Sequence, residues 1–295
     1  MYCSSTIPTR GGRSRSAVFV RLAVAALFLA GRAVAQQDVP ASLRDLFGAG
    51  VVAERNGRLD EAEKDFRSVL RQAGDVAIAH HNLGTIYQLR GDHARAIAEF
   101  REAIRLQPQL AAPYILLGAS LRATRRFPEA LRELERALVL APQQPAAHLE
   151  LAKVYDQMGN PFGVVSQYQI LCALVPRDPE YTYQLGQAYL KLSQWCVKEI
   201  RRRDPQSPRL YEIMAEALLG QGQPTRAIHF YQRAAQVGPA LPGLHLALAQ
   251  LYLDQNRPEE ARREINEELA LVPESVAAKA LEERIASPQG KGGVR

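Results

Sequence analysis

Along most of the chain, apolar side chains recur three and four positions apart, the spacing that lines one face of an α-helix. Leu83 and Tyr87 lie four apart, and Ala96, Phe100 and Ala103 follow at four and three. Leu117 and Leu121, then Ala130, Leu134 and Ala137, repeat that arrangement. The pattern predicts an all-α chain of short amphipathic helices.

The prolines reveal a longer period. Pro108, Pro142 and Pro176 stand 34 apart, as do Pro239 and Pro273. That register divides the chain into seven units, 43–76, 77–110, 111–144, 145–178, 179–207, 208–241 and 242–275. The second unit carries His80, Leu83-Gly84, Tyr87, Ala96, Phe100, Ala103 and Pro108, and the third Tyr114, Leu117-Gly118, Leu121, Ala130, Leu134, Ala137 and Pro142. The sixth has Tyr211, Met214-Ala215, Leu218, Ala227, Tyr231, Ala234 and Pro239; the last has His245, Leu248-Ala249, Tyr252, Ala261, Ile265 and Pro273.

Small residues at Gly84, Gly118, Ala152, Gly186, Ala215 and Ala249 fall where two helices must approach closely. Midway through the units come Gly57, Gly91, Gly159, Gly222 and Asn256, residue types that accept a left-handed helix stop. Pro161, Pro224 and Pro258 follow two positions later, where a proline can open the next helix because its missing N–H had no partner. Each unit therefore reads as helix, tight turn, helix.

These residues, in register over 43–275, resemble the tetratricopeptide repeat (TPR) pattern W-x2-L-G-x2-Y…A-x3-F…P. The resemblance implies a right-handed superhelical solenoid in which each unit buries its stripe against its neighbours. It also implies a concave groove, lined by the first helices, that holds peptides or partner segments. Counting two, five, nine and twelve places into each unit gives the lining that the resemblance assigns. The early units supply Phe47, Glu54, His81, Thr85, Gln88, Ile115 and Arg122. Leu149, Lys153, Asp156, Tyr183 and Gln187 follow, then Glu212, Glu216, Leu246 and Gln250. Family members that clamp chaperone tails use Lys, Asn and Arg at these places; His81 and Thr85 do not match that clamp.

Unit 179–207 departs from the pattern. It begins with Leu185-Gly186 and Tyr189, then is five residues short and loses its second-helix signal to Trp195-Cys196 and a run ending in Arg201-Arg202-Arg203. One reading is a shortened second helix whose Trp195 and Ile200 patch the seam, with the arginines solvated. The other is a bend whose Arg201, Arg202 and Arg203 form a basic patch for an acidic partner.

Outside the repeats, residues 1–35 read as a secretory signal. The basic start, the apolar Leu22–Ala30 and the small Ala33 and Ala35 place cleavage after Ala35. A spanning helix needs roughly 20 apolar residues, twice what lies between Arg21 and Arg32. The mature chain is thus expected to be exported, periplasmic or secreted, with no stable membrane span. Residues 36–42 read as a linker, 276–286 as a helix capping the open end with Ala277, Ala280, Leu281 and Ile285 inward, and 287–295 as a flexible tail.

Charge changes meaning once the signal is set aside. The whole chain has 37 Lys+Arg, 31 Asp+Glu and a net +6. Arg10, Arg13, Arg15, Arg21 and Arg32 sit in the first 35 residues with no acid among them; without these five, 32 basic side chains face 31 acidic ones. Nucleic acid is therefore not an expected partner.

Candidate chemistry is sparse. Cys172 and Cys196 are expected near opposite ends of parallel second helices, beyond disulfide reach, as buried free thiols. His80, His148 and His245 share one place in their units, where a packed ring is wanted, so they read as core rather than metal ligands. Glu259-Glu260 and Glu267-Glu268 read as an exposed acidic face. No phosphate loop, H-E-x-x-H or G-x-S-x-G occurs. The expectation is a scaffold with neither catalysis, metal nor cofactor, binding a protein or peptide segment. A non-catalytic arm of an exported enzyme complex is the alternative, and self-association is possible.

Overall fold

The computed structural model describes residues 40–286; the signal, most of the linker and the tail lie outside the described residues. The chain divides into two units, the first ending at Leu190 and the second beginning at Lys191. Among the described residues every regular element is helical.

In the first unit, helices pair in sequence: α1 (Arg44–Arg55) with α2 (Leu59–Ala73), α3 (Ala77–Leu89) with α4 (His93–Leu106), α5 (Ala111–Ala123) with α6 (Phe127–Leu140), and α7 (Pro145–Gln157) with α8 (Pro161–Leu174). The stripes read from the sequence form one apolar core through most of this stack. Phe66, Leu83, Tyr87, Phe100, Leu117 and Leu134 are each at most 1% exposed within it. Phe47 meets Phe66 edge-on, with centroids 5.3 Å apart. Each pair supplies a stripe that its neighbours bury, so the stack is stabilised by nearest-neighbour interfaces.

The turns between paired helices share one geometry. Gly57, Gly91, Gly159, Gly222 and Asn256 all have positive φ. The next residue's N–H reaches five positions back, as Asp92 does to the Tyr87 carbonyl at 2.9 Å. That bond satisfies a carbonyl the helix end leaves open. The third turn has no glycine signal and uses Arg125, at φ 59°. A side chain in this region costs about 1–2 kcal/mol, partly offset because glycine loosens the unfolded chain. Arg125→Gly is expected to stabilise the protein by about 0.5–1 kcal/mol, read as a raised urea midpoint.

The fifth repeat is not a helix pair. A single helix, α9, runs unbroken over Pro179–Arg203. This corrects the expected shortened second helix. The cause is local: one period beyond Gly159 stands Ser193, and one period beyond Pro161 stands Trp195. From Gln187 to Asp204 there is no glycine, asparagine or proline to stop a helix, which ends just before Asp204-Pro205. Of its 25 residues only Ala188 is buried, and Trp195 is 38% exposed. Cys196 consequently lies mid-helix. It and Cys172 are free thiols, half-buried rather than enclosed.

The second unit pairs α10 (Pro208–Gly220) with α11 (Pro224–Val237) and α12 (Leu244–Asp254) with α13 (Pro258–Leu271). A last helix, α14 (Val276–Ala286), packs Ala278 against Ala249 and Ile265. Here the expectation of an exposed Glu268 fails. Glu268 is 3% exposed, and both its oxygens accept the Gly243 N–H, at 3.1 and 3.0 Å, where the chain enters α12. Glu268→Ala strands that donor and is expected to cost about 1–3 kcal/mol by denaturant unfolding. Glu268→Gln keeps one acceptor oxygen and should recover part of the loss.

Candidate partner-binding face

The sequence register puts the candidate residues on one side of the first helices. How much of that side is open depends on how the next repeat covers it. In α3 the side is largely closed. Thr85 is 2% exposed and donates to the His81 carbonyl at 3.0 Å. His81 lies 6.0 Å from the Phe100 ring, and its Nδ1 is buried without a hydrogen-bond partner. Burial pulls this imidazole down to about 4, so it is neutral at physiological pH.

Gln88 ties one repeat to the next: its Nε2 donates to the Leu116 carbonyl at 3.1 Å and to Ser120 Oγ at 2.9 Å. Ile115 is 1% exposed and Phe47 6%. Thr85, Ile115 and Phe47 are thus packed inside the stack, a correction to the lining expected from the register. Helices that stack closely bury places that a simple count puts on a surface.

Further along, the face becomes charged. Arg122 Nε lies 3.0 Å from Glu150 Oε2, and Lys153 Nζ lies 2.5 Å from Glu150 Oε1. Glu150 is 13% exposed and bridges two cations from the first helices of successive repeats. Sequence reasoning missed it. The signal was available, because Arg122–Glu150 and Gln88–Leu116 both span 28 residues. Leu149 is half-buried beside this bridge, and Asp156 is exposed.

The most open part of the face in the first unit is on α9. Tyr183 is 60% exposed, Leu190 is 58% exposed, and Gln187 lies exposed between them. In the second unit, Glu212 pairs with Arg209 at 2.6 Å and Glu216 is exposed. Leu246 and Gln250 are half-buried, and Gln250 donates to Asp254 at 2.7 Å.

The basic run at the end of α9 is exposed, as both readings of that segment require. Arg202 and Arg203 both hold Glu199, at 2.6 and 2.9 Å, and these hydrogen bonds pull its carboxyl down to about 2.

The histidines read as core occupy equivalent sites. The Nδ1 atoms of His80, His148 and His245 lie 2.7–2.8 Å from Glu99, Gln167 and Glu264, each 19 residues later. His80 and His148 are buried, and His245 is half-buried. The Glu99 hydrogen bond raises the His80 imidazole above its ordinary value. Each pair links a first helix to its own second helix. Another polar cluster, missed from sequence, surrounds Glu63, which is 8% exposed. Tyr87 donates to it at 2.8 Å, and Arg67 and Arg90 pair with it. Burial works to raise this carboxyl, but the Tyr87 and Arg90 hydrogen bonds outweigh it and leave the value lowered.

Three stretches match family profiles described as tetratricopeptide repeat: residues 42–109, 111–154 and 218–285. The chain is built of tetratricopeptide repeats. The profiles bracket the fifth TPR, 179–207, which is where the structure has one helix in place of two.

The TPR stack is similar to several solved structures. A tetratricopeptide repeat protein from Parabacteroides merdae ATCC 43184 is 15% identical, with 84% of this chain and all of that one covered, at TM-score 0.47. MamA is 19% identical, covering 67% and 92%, at TM-score 0.42. YrrB, described as a TPR protein with an unusual peptide-binding site, is 16% identical, covering 74% and 97%, at TM-score 0.38. No curated protein gives a significant match.

Among the described residues no helix is long and apolar enough to cross a membrane, and no group of three or more His, Cys, Asp or Glu side chains is placed to hold a metal ion.

Proposed function

We propose that this protein is an exported scaffold that holds a protein, or an extended segment of one, against the first-helix face of its repeats. One observation carries the reading. Tyr183, Gln187 and Leu190, at the fifth, ninth and twelfth places of their repeat, are all exposed on successive turns of one helix. Large apolar side chains left in solvent beside a polar one are what a partner contact uses. The sign-balanced charge of residues 36–295 favours a protein surface over nucleic acid. Export rests on the basic and apolar residues of 1–35.

The test is an affinity capture from the envelope fraction with the tagged full chain, comparing wild type with a Tyr183→Ser, Leu190→Ser double variant. Both residues are exposed, so the variant is expected to keep its helicity and lose the specifically captured protein. Equal capture by the two would sink the reading. Sequencing of the amino terminus from the same fraction is expected to begin at Gln36.

A further inference from the structure

In a regular repeat the second helix closes over the first through one recurring fit. Gly84 takes Phe100, and Gly118 takes Leu134; a Cβ on either glycine would meet the opposing side chain at 2.6 Å. The closing residue stands four positions after a buried alanine, Ala96 or Ala130. The acceptor is thus a Leu-Gly pair followed three residues later by Tyr or Leu, and the donor is an amphipathic helix with Ala-x3-Phe or Ala-x3-Leu.

The fifth repeat keeps the acceptor and has no donor. Leu185-Gly186 and Tyr189 stand on α9 at the same places. Tyr189 is also held as its counterparts are. Gln169, twenty residues earlier, donates to its hydroxyl at 2.7 Å, as Arg67 does to Tyr87 and Gln232 to Tyr252, each at 2.8 Å. The space above the glycine is empty, however. A Cβ on Gly186 would meet nothing within 4 Å, and Tyr189 is 45% exposed.

We propose that the Leu185, Gly186 and Tyr189 face of α9 accepts one amphipathic α-helix from a different protein. That helix carries a small residue and, four positions later, a Phe or Leu that enters the notch over Gly186. The sister repeats define the occupant's chemistry because they show what this motif binds. A different protein is implied because, among the described residues, every regular second helix of this chain already closes its own repeat. A second copy would have to open one of its own cores to supply a helix. Gly186 stands three residues after Tyr183 and four before Leu190, so the two surfaces share that edge of α9, whereas Leu185 and Tyr189 lie on the side away from Gln187. Protein capture and peptide binding are separate readouts, so either reading can fail without the other.

The experiment titrates the full-length protein into a fluorescent, helix-stapled peptide of residues 93–106, which carries Ala96 and Phe100. Saturable binding is expected, weakened at least tenfold (about 1.4 kcal/mol) by Gly186→Leu in the protein or by Phe100→Ala in the peptide. Gln187→Ala, on the opposite side of α9 from Leu185 and Tyr189, is expected to leave it unchanged. The peptide variant leaves the protein untouched, so the test does not depend on how Gly186→Leu folds. Three results would overturn the proposal. They are no saturation into the millimolar range, equal binding by Gly186→Leu, or loss with Gln187→Ala, which would move the peptide to the other face. A wild-type dimer in sedimentation that Gly186→Leu dissolves would also overturn it, by making a second copy the occupant.

Discussion

Gly84→Ala is expected to destabilise the protein by about 2 kcal/mol, and Gly186→Ala to stabilise it by up to about 1 kcal/mol. Both glycines hold the same place in their repeats, so the opposite signs isolate what stands opposite each. At Gly84 the new methyl would lie 2.6, 2.7 and 3.0 Å from three atoms of the Phe100 ring, which has no exposed surface. A rigid ring in a filled core moves only by disturbing its neighbours, a strain of about 1–3 kcal/mol. The gain in helix propensity offsets part of that.

Gly118→Ala should be milder, because it opposes Leu134, whose branched end can adjust more readily than a ring. At Gly186 nothing stands within 4 Å, so only the propensity gain remains. Urea unfolding of the three variants is expected to rank them in that order. If Gly84→Ala and Gly186→Ala shifted the midpoint in the same direction, the open acceptor on α9 would be wrong as well.

Those glycines also show which features the sequence made legible. The 34-residue period, the paired helices and the close approaches at Gly84 and Gly118 all follow from residue type and spacing. The turns at Gly57, Gly91, Gly159, Gly222 and Asn256 follow for the same reason, since few residue types tolerate positive φ. Arg125 was invisible because the neighbouring helices impose its conformation against its own preference. The unbroken α9 was half legible. Its missing stop signals at Ser193 and Trp195 were on the page, but the five-residue deficit suggested a shortened second helix rather than none. The binding face was the least legible part. A count of places identifies a side of a helix, whereas exposure depends on the repeat that stacks above it. Thr85 and Ile115 are therefore buried while Tyr183, on a helix with no partner of its own, stands open.

The largest pH effect is expected at Glu54. It occupies the twelfth place of its repeat, the place that holds Gln88 and Arg122 in the next two. Gln88 donates to the following repeat and Arg122 pairs with Glu150. Glu54 has burial acting on it alone, and that pushes its carboxyl from 4.5 up to about 7. The folded chain therefore keeps this proton to a higher pH than the unfolded chain does. Over the window from about 4.5 to 7 the native state binds more protons, so stability falls as pH rises and is lowest once the carboxylate is ionised. The full effect corresponds to at most about 3 kcal/mol.

Glu54→Gln removes the titration while copying the side chain found at the same place in the second repeat. The variant is expected to match wild type near pH 4 and to exceed it progressively toward pH 8, in urea unfolding measured across that range. Two histidines titrate in the same window with opposite signs. His80, raised by Glu99, stabilises below its folded pKa, and that contribution is lost as pH rises through it. His81, held near 4 by burial, destabilises as pH falls below about 6.5. Both are present in each protein, so the difference between the two curves belongs to Glu54. Parallel curves would mean that its carboxyl is as well solvated in the fold as in the unfolded chain.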